Sequence, residues 1–148
     1  MKVVPLVLAG TGSLSYRMGR QKNVRWVGYV NGDEKRRLIA GCRAILFPSL
    51  WPEPLSTVAY EAYEMGKPVI SSTAGGMKEI VFDRQTGRLL PPGDVAAWRE
   101  TILQIAREPA DAHFWGANGR RWIEKEVTRE AWSRKFDEIL QHVLDGQG

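Results

Sequence analysis

The sequence predicts an α/β domain with a parallel sheet, and three observations support this fold class. Short apolar runs alternate with stretches of helical periodicity, which is typical of βα units. Turns rich in glycine and proline separate the two kinds of segment. The chain has 148 residues, of which 43% are hydrophobic and 26% are charged. These values suit one compact domain with a packed core, so we expect a single domain over residues 1–148.

The first half of the chain alternates predicted strands with predicted helices. The strands are predicted over residues 3–8, 24–29 and 44–47. A helix over residues 34–40 follows the second strand, and Asp33 is placed to cap it. A helix over residues 56–65 follows the third strand, and we expect Gly66 to close it as a left-handed C-cap.

After Gly66 the apolar runs become shorter. Two further strands are predicted over residues 69–70 and 88–90. A short helix over residues 77–82 and a turn over residues 83–87 are expected between them. The alternation of these short strands with helices favours a parallel sheet of about five strands.

The C-terminal part of the chain is predicted to be helical. Asp94 is expected to cap a helix over residues 95–107. Pro109 interrupts the pattern, and a second helix is predicted over residues 110–126. Thr128 is expected to cap a last helix, in which apolar residues recur at helical spacing. Those residues are Trp132, Phe136, Ile139, Leu140 and Val143.

The chain has six tryptophans, which invites a carbohydrate-stacking interpretation. Four of them lie in the predicted C-terminal helices, where we interpret them as helix-packing residues. They are Trp98, Trp115, Trp122 and Trp132. Trp51 lies in a loop beside a candidate site, and there packing and ligand contact stay open as alternatives.

Charge and cysteine content narrow the function classes. The single cysteine, Cys42, cannot form an internal disulfide, so we expect a reducing compartment and a cytoplasmic protein. The net charge of +4 suits phosphate-bearing ligands, anionic membranes or nucleic acid without choosing among them. No basic stripe with interleaved aromatics is visible, so we do not expect nucleic-acid binding. No run approaches the roughly 20 apolar residues of a membrane span, so we expect at most peripheral membrane contact.

The stretch over residues 48–62 carries the clearest chemical signal. It leaves the third predicted strand at the carboxyl edge of the sheet, where open α/β sheets bind their ligands, and at once starts a helix. The helix start offers free N–H groups and the positive end of the helix dipole, which suit a phosphate group. The residues concerned are Leu55, Ser56, Thr57 and Val58.

Two glutamates accompany that helix start. Glu53 precedes it and Glu61 lies eight positions further on, so the two carboxylates can bracket a phosphate bound there. A carboxylate accepts two hydrogen bonds at once and therefore matches the vicinal diol of a ribose or a sugar. In the alternative interpretation the glutamates only favour the helix N-terminus electrostatically. That suffices for Glu53, but Glu61 lies too far along the helix.

Several ordered segments around these glutamates carry a family resemblance. They are Phe47-Pro48-Ser49 and residues 8–12, 24–30, 61–70, 74–81 and 86–94. Together they resemble the C-terminal, donor-binding half of retaining GT-B glycosyltransferases of the family 4 type. The resemblance covers nearly the whole chain. It implies a Rossmann-like sheet with flanking helices, a helical C-terminus and no counterpart of the family's first strand.

The resemblance also implies a ligand, a nucleoside diphosphate sugar linked to UDP or GDP, with no catalytic metal and no cofactor. Matched position by position, Glu61 would hold the ribose hydroxyls. Glu53 would hold the hydroxyls of the donor sugar, as a catalytic positioning residue rather than a proven nucleophile.

Other positions are implied to contact the ligand through their backbone. Leu55, Ser56 and Thr57 would reach sugar and diphosphate oxygens. Tyr29 and Val30 would lie along the base, and Gly10 and Gly12 would allow close approach near the phosphates. The family usually has an aromatic residue and a glycine where Leu55 and Ser56 stand, so the identity of the sugar stays open.

Some parts of the family's enzymes have no counterpart in this sequence. The first strand of the second domain, the Arg and Lys that neutralise the diphosphate, and the whole first domain lack a match. Arg20 and Lys22 superficially resemble the basic pair, but their spacing and position argue against that role. The absent strand would occupy the centre of the sheet, between residues 3–8 and 44–47. Because unpaired buried strand edges are costly, we expect these two strands to pair directly or a partner chain to supply a strand.

Two hypotheses follow. The first is a donor-binding domain of a retaining hexosyltransferase of polysaccharide biosynthesis, inactive without a first domain. The alternative is a non-catalytic nucleotide-binding or assembly module that acts through a partner chain.

Overall fold

Strands and helices alternate along the chain largely as the sequence predicts. The computed structural model describes residues 4–13 and 22–146. The strands in these ranges are β1 (Leu6–Ala9), β2 (Val24–Gly28), β3 (Ile45–Phe47), β4 (Val69–Ser72) and β5 (Gly87–Leu90). The helices are α1 (Gly32–Gly41), α2 (Thr57–Glu64), α3 (Val95–Arg107), α4 (Pro109–Glu126) and α5 (Arg129–Leu144). Residue 3 of the first predicted strand lies outside the described residues.

The described strands pair in parallel and form two sheets. β1 pairs with β2, and β3, β4 and β5 follow one another in the second sheet. Leu6 is opposite Val24 in the first sheet, and Ile45 is opposite Val69 in the second. The Rossmann-like α/β fold with about five parallel strands is therefore confirmed.

The expectation that the first and third predicted strands pair directly is wrong. In the part of the chain that the structure describes, β1 pairs with β2 alone and β3 pairs with β4 alone. The helix that connects the two sheets, α1, contributes Ile39 to the apolar cluster that includes Ala59 and Ala62 of α2. β1 instead takes β2, the next strand along the chain, as its partner. The alternative, a strand supplied by a partner chain, stays a prediction.

β4 is the central strand of the larger sheet and is buried on both faces. Because side chains alternate along a strand, Val69 and Ile70 belong to different apolar clusters. Val69 packs with α1 and α2 residues, and Ile70 packs with residues of α3 and α4. The two helical layers therefore enclose the sheet that carries the candidate site.

Local signals predicted several helix ends correctly. Asp94 Oδ1 accepts a hydrogen bond from the Ala97 N–H at 3.0 Å, and Thr128 Oγ1 accepts one from the Ala131 N–H at 3.0 Å. Gly66 follows α2 with a φ of 64°, as expected for a left-handed C-cap.

Two local expectations need correction. Asp33 does not cap α1, because the helix begins one residue before it and Asn31 takes the N-cap position, leaving Asp33 in the first turn. The helix predicted over residues 77–82 is a 3₁₀ turn over Gly76–Glu79. The turn ends after four residues, and the two residues that follow it, Ile80 and Val81, are buried in the core.

The tryptophans of the C-terminal helices differ in burial. Trp115 is buried, while Trp98 and Trp122 pack against the two apolar clusters, so the packing interpretation holds for these three. It is wrong for Trp132, which is 65% exposed and stacks on Phe136 of its own helix. α5 lies along the surface, so its apolar stripe has little of the domain to cover.

Two further observations concern the class of protein. Within residues 4–13 and 22–146, no helix combines the length and the apolar character needed to cross a bilayer.

Cys42 ends α1, its thiol donates to the Ile39 carbonyl, and burial raises its pKa. A raised pKa leaves less of the Cys42 thiol in the reactive thiolate form.

Candidate functional site

The loop from β3 to α2 is held against the carboxyl end of β4 by two glycines. The Gly76 N–H donates to the Glu53 carbonyl at 2.8 Å, and Glu53 forms a parallel bridge with Gly75. A Cβ atom built on Gly75 would lie 2.1 Å from the Glu53 carbonyl oxygen. One built on Gly76 would lie 1.8 Å from the Pro54 carbonyl oxygen. The close approach of the loop therefore depends on two residues without side chains.

The Glu53 carboxylate is held within its own loop. Its Oε1 accepts hydrogen bonds from Ser49 Oγ at 3.3 Å and from Trp51 Nε1 at 3.4 Å. Trp51 is 69% exposed. The open question about Trp51 is thus answered in part, because its ring does not pack in the core and its indole N–H contacts a candidate site residue.

The start of α2 leaves backbone donors free. Among the described residues, the N–H groups of residues 55–58 donate no hydrogen bond. Ser56 stands at the N-cap, and its side chain does not cap the helix. Unsatisfied donors together with the positive end of the dipole make this helix start suitable for an anion.

Glu61, in the second turn of α2, forms an ion pair with Lys35 of α1. The distance from Lys35 Nζ to Glu61 Oε1 is 2.7 Å, and the two side chains are about one third exposed, at 31% and 30%. Glu61 Oε2 is buried and has no hydrogen-bond partner among the described residues. A buried carboxylate oxygen without a donor is unusual, and such groups often have a functional reason.

The predicted residues of the smaller sheet lie where β1 and β2 end. Trp26 Nε1 donates to the Gly10 carbonyl at 2.8 Å, and the Gly10 N–H donates to the Gly28 carbonyl. Gly10 and Gly28 have φ values of 135° and 71°, which favour glycine. Tyr29 is 72% exposed and Val30 is half-buried. Gly12 lies on the exposed segment after β1.

All the predicted site residues follow the carboxyl ends of parallel strands or lie in the helix after one. The contacts bring α1 to Glu61 and bring Glu53 to Gly75. In the described part of the chain, no hydrogen bond joins Gly10 or Gly12 to either glutamate. Arg20 lies outside the described residues, and Lys22 is exposed.

Sequence reasoning missed Lys35 and Ser49 as neighbours of the two glutamates. Lys35 lies 26 residues from Glu61, and nothing in the local pattern marks it. The Ser49 contact was within reach of prediction, because Ser49 lies four residues before Glu53 in the same loop. Residues 4–13 and 22–146 hold no group of three or more histidine, cysteine or acidic side chains placed for a metal ion.

The fold and the site together define a class of protein. A parallel α/β domain with an anion-suited helix start at the carboxyl ends of its strands is a Rossmann-like ligand-binding domain. Residues 3–122 match the family model for glycosyl transferases group 1. The chain therefore belongs to the glycosyl transferases group 1 family. The predicted membership among GT-B glycosyltransferases is confirmed, whereas the family 4 type and the retaining reaction stay predictions.

Individual relatives agree with this assignment. The chain is 35% identical to an uncharacterized glycosyltransferase of Methanocaldococcus jannaschii, over 95% of this chain and 36% of the relative. It is 29% identical to O-antigen chain mannosyltransferase C of Escherichia coli, over 97% of this chain and 41% of the relative. The crystal structure of Anabaena HepE in complex with UDP matches with a TM-score of 0.78 at 23% identity, over 93% of this chain and 41% of HepE. The chain thus spans about two fifths of the length of these proteins.

Proposed function

We propose that this chain is the donor-binding domain of a glycosyltransferase and that it binds a nucleoside diphosphate sugar. The observation that carries the proposal is the start of α2, where free N–H groups stand between Glu53 and Glu61 along the chain. A helix N-terminus favours a phosphate group, whereas a carboxylate favours a vicinal diol. A diphosphate that joins a ribose to a sugar offers both kinds of group.

The two glutamates receive different parts of the ligand in this proposal. Glu61 binds the ribose hydroxyls, and Glu53 binds the donor sugar. The contacts of Glu53 with Ser49 and Trp51 support its role, because they hold the carboxylate in one orientation before a sugar arrives. Glu53 acts as a positioning residue at the reacting sugar.

The remaining ligand groups are assigned to the strand ends. The backbone of Leu55, Ser56 and Thr57 binds sugar and diphosphate oxygens. Tyr29 and Val30 lie along the base, and Gly10 and Gly12 admit the phosphates. The complex of HepE with UDP-glucose supports a ligand of this class.

The proposed reaction is retaining transfer of a hexose to an acceptor hydroxyl, as in family 4 enzymes. Free N–H groups at the start of α2 stabilise negative charge on the leaving diphosphate. Acceptor contacts come from a first domain that the chain does not match, so the chain by itself binds donor and transfers little. The cytoplasm, where nucleotide sugars and reduced cysteine occur together, is the proposed location.

Calorimetry on the purified chain tests the proposal. We expect binding of UDP-glucose or a GDP-linked hexose, with at least tenfold loss of affinity in Glu61→Ala because two charge-assisted hydrogen bonds are removed. Glu64→Ala is the matched control, since Glu64 is exposed on the same helix and is expected to leave affinity unchanged. No binding of either donor at millimolar concentration contradicts the proposal.

A second candidate is an assembly module that acts through a partner chain. The unpaired edges of β1 and β3 in the described part of the chain favour it, because a strand from a partner can satisfy them. Co-purification of a separate chain that is unaffected by Glu53→Ala and Glu61→Ala supports the module. Co-purification that requires bound donor supports a split enzyme.

A further inference from the structure

The Lys35–Glu61 ion pair is short and partly buried, which distinguishes it from an ordinary surface ion pair. Surface ion pairs contribute little to stability and are screened by salt, whereas this pair is two thirds covered and its atoms are 2.7 Å apart. It also joins two elements that meet at the candidate site. Lys35 lies near the start of α1, the helix that follows Tyr29 and Val30, and Glu61 lies in α2.

The hydrogen bonding of the pair is incomplete. Glu61 accepts from Lys35 through Oε1, while Oε2 is buried and has no partner among the described residues. Lys35 carries three donors, and one of them bonds to Glu61 Oε1. The pair therefore offers a spare acceptor and spare donors side by side.

We propose that Lys35 is a positioning and specificity-determining residue of the nucleotide site, and that the Lys35–Glu61 pair together recognises the 2′-hydroxyl of a ribose. The inference rests on the proposed function, in which Glu61 meets the ribose. The ammonium fixes the orientation of the carboxylate through the 2.7 Å contact with Oε1. A hydroxyl both donates and accepts, so it donates to Glu61 and accepts from Lys35.

A lysine that contacts the ribose and a lysine that contacts the diphosphate have different effects on nucleotide affinity. A lysine that neutralises the diphosphate strengthens binding of ribonucleotides and deoxyribonucleotides alike. A lysine that acts on the 2′-hydroxyl strengthens binding of the ribonucleotide alone, because the 2′-deoxy compound lacks the group that the pair contacts.

The test measures affinities of UDP, GDP and their 2′-deoxy forms by calorimetry. We expect the unsubstituted chain to prefer the ribonucleotide about tenfold, the effect of one charge-assisted hydrogen bond. In Lys35→Met we expect ribonucleotide affinity to fall about tenfold while deoxyribonucleotide affinity barely changes. Lys35→Arg is expected to restore part of the preference. Arg36→Met, which removes the same charge from an exposed neighbour on α1, is expected to keep it.

A double-mutant cycle adds a readout that a merely structural role does not move. Glu61→Gln keeps the shape of the side chain, and with Lys35→Met it is expected to lower the preference no further than either change does alone. Thermal unfolding of each variant shows whether it is folded. If Lys35→Met does not fold, Lys35→Arg and Glu61→Gln carry the same comparison.

The outcomes distinguish the two proposals. A full ribonucleotide preference in folded Lys35→Met overturns this inference and leaves the donor-binding function intact. Equal weakening of ribonucleotide and deoxyribonucleotide overturns it in favour of a phosphate contact. Absence of nucleotide binding by the unsubstituted chain overturns the donor-binding function and the inference with it.

Discussion

The backbone of Glu53 lies so close to Gly75 that a Cβ atom at position 75 would fall 2.1 Å from the Glu53 carbonyl oxygen. Gly75 also has a φ of 77°, in the region that favours glycine. We predict that Gly75→Ala destabilises the domain by about 2 kcal/mol or more and weakens donor binding, because the Glu53 loop has to move. Chemical denaturation and calorimetry measure the two effects.

Gly93→Ala is the control for that prediction. Gly93 has a similar φ of 75°, but its added Cβ would lie 3.9 Å from the Leu50 side chain, which is ordinary contact. It is expected to cost about 1 kcal/mol from backbone strain and to leave donor affinity unchanged. Equal behaviour of the two alanine variants contradicts the importance of the close approach.

A second close approach joins α4 to α2. A Cβ atom on Gly119 would lie 2.2 Å from Cδ1 of the buried Tyr63 ring. We predict that Gly119→Ala destabilises the domain by about 1–3 kcal/mol, despite the better helix propensity of alanine, because the ring has no room to move. Gly41→Ala, at an open helical position, is expected to be neutral or stabilising in the same denaturation experiment.

Tyr63 makes the stability depend on pH above the neutral range. Its hydroxyl donates to the Ile80 carbonyl and shares a hydrogen bond with Thr86 Oγ1, and burial raises its pKa to about 12. Because the folded state favours the protonated form, the stabilisation is complete below pH ~10, the pKa of an unfolded tyrosine, and is lost as the pH rises toward the folded pKa.

Tyr63→Phe isolates this contribution. We predict that it costs about 1–3 kcal/mol at neutral pH, since it leaves the buried Ile80 carbonyl without its donor and Thr86 Oγ1 without its Tyr63 partner. The difference from the unsubstituted chain is expected to stay constant up to pH ~10 and to shrink above it. A difference that does not change with pH in urea denaturation contradicts the assignment.

Features set by neighbouring residues could be predicted from the sequence. Asp94 and Thr128 cap helices that begin at the next residue, and Gly66 follows α2 as a left-handed residue, because these signals act within one turn. Asp33 shows the limit of such signals. Both Asn and Asp are common N-cap residues, and the N-cap of α1 is Asn31 rather than Asp33. Boundaries were therefore less secure than the elements themselves.

Features set by tertiary packing could not be predicted. The Lys35–Glu61 pair depends on how α1 meets α2, and no periodicity encodes that contact. The division of the strands into two sheets likewise depends on which strand edges pair, and the local sequence pattern does not encode that pairing. Trp132 follows the helical spacing of a packed face, yet spacing reports only which residues share a face and not whether anything covers it.

α5 leads to the last prediction, which concerns association. Ile139 and Val143, one turn apart on this helix, are 62% and 61% exposed. Exposed apolar side chains that share a helix face promote association, whereas replacing them removes little packing from the fold itself. We predict that Ile139→Lys with Val143→Lys reduces concentration-dependent self-association in light scattering while changing the unfolding free energy by no more than about 0.5 kcal/mol per site. Glu138→Lys is the control, because it changes the net charge by as much as the double substitution does. Glu138 is exposed, and this change is expected to leave association unchanged. A large loss of stability in the double variant would mean that these side chains pack against the domain in solution.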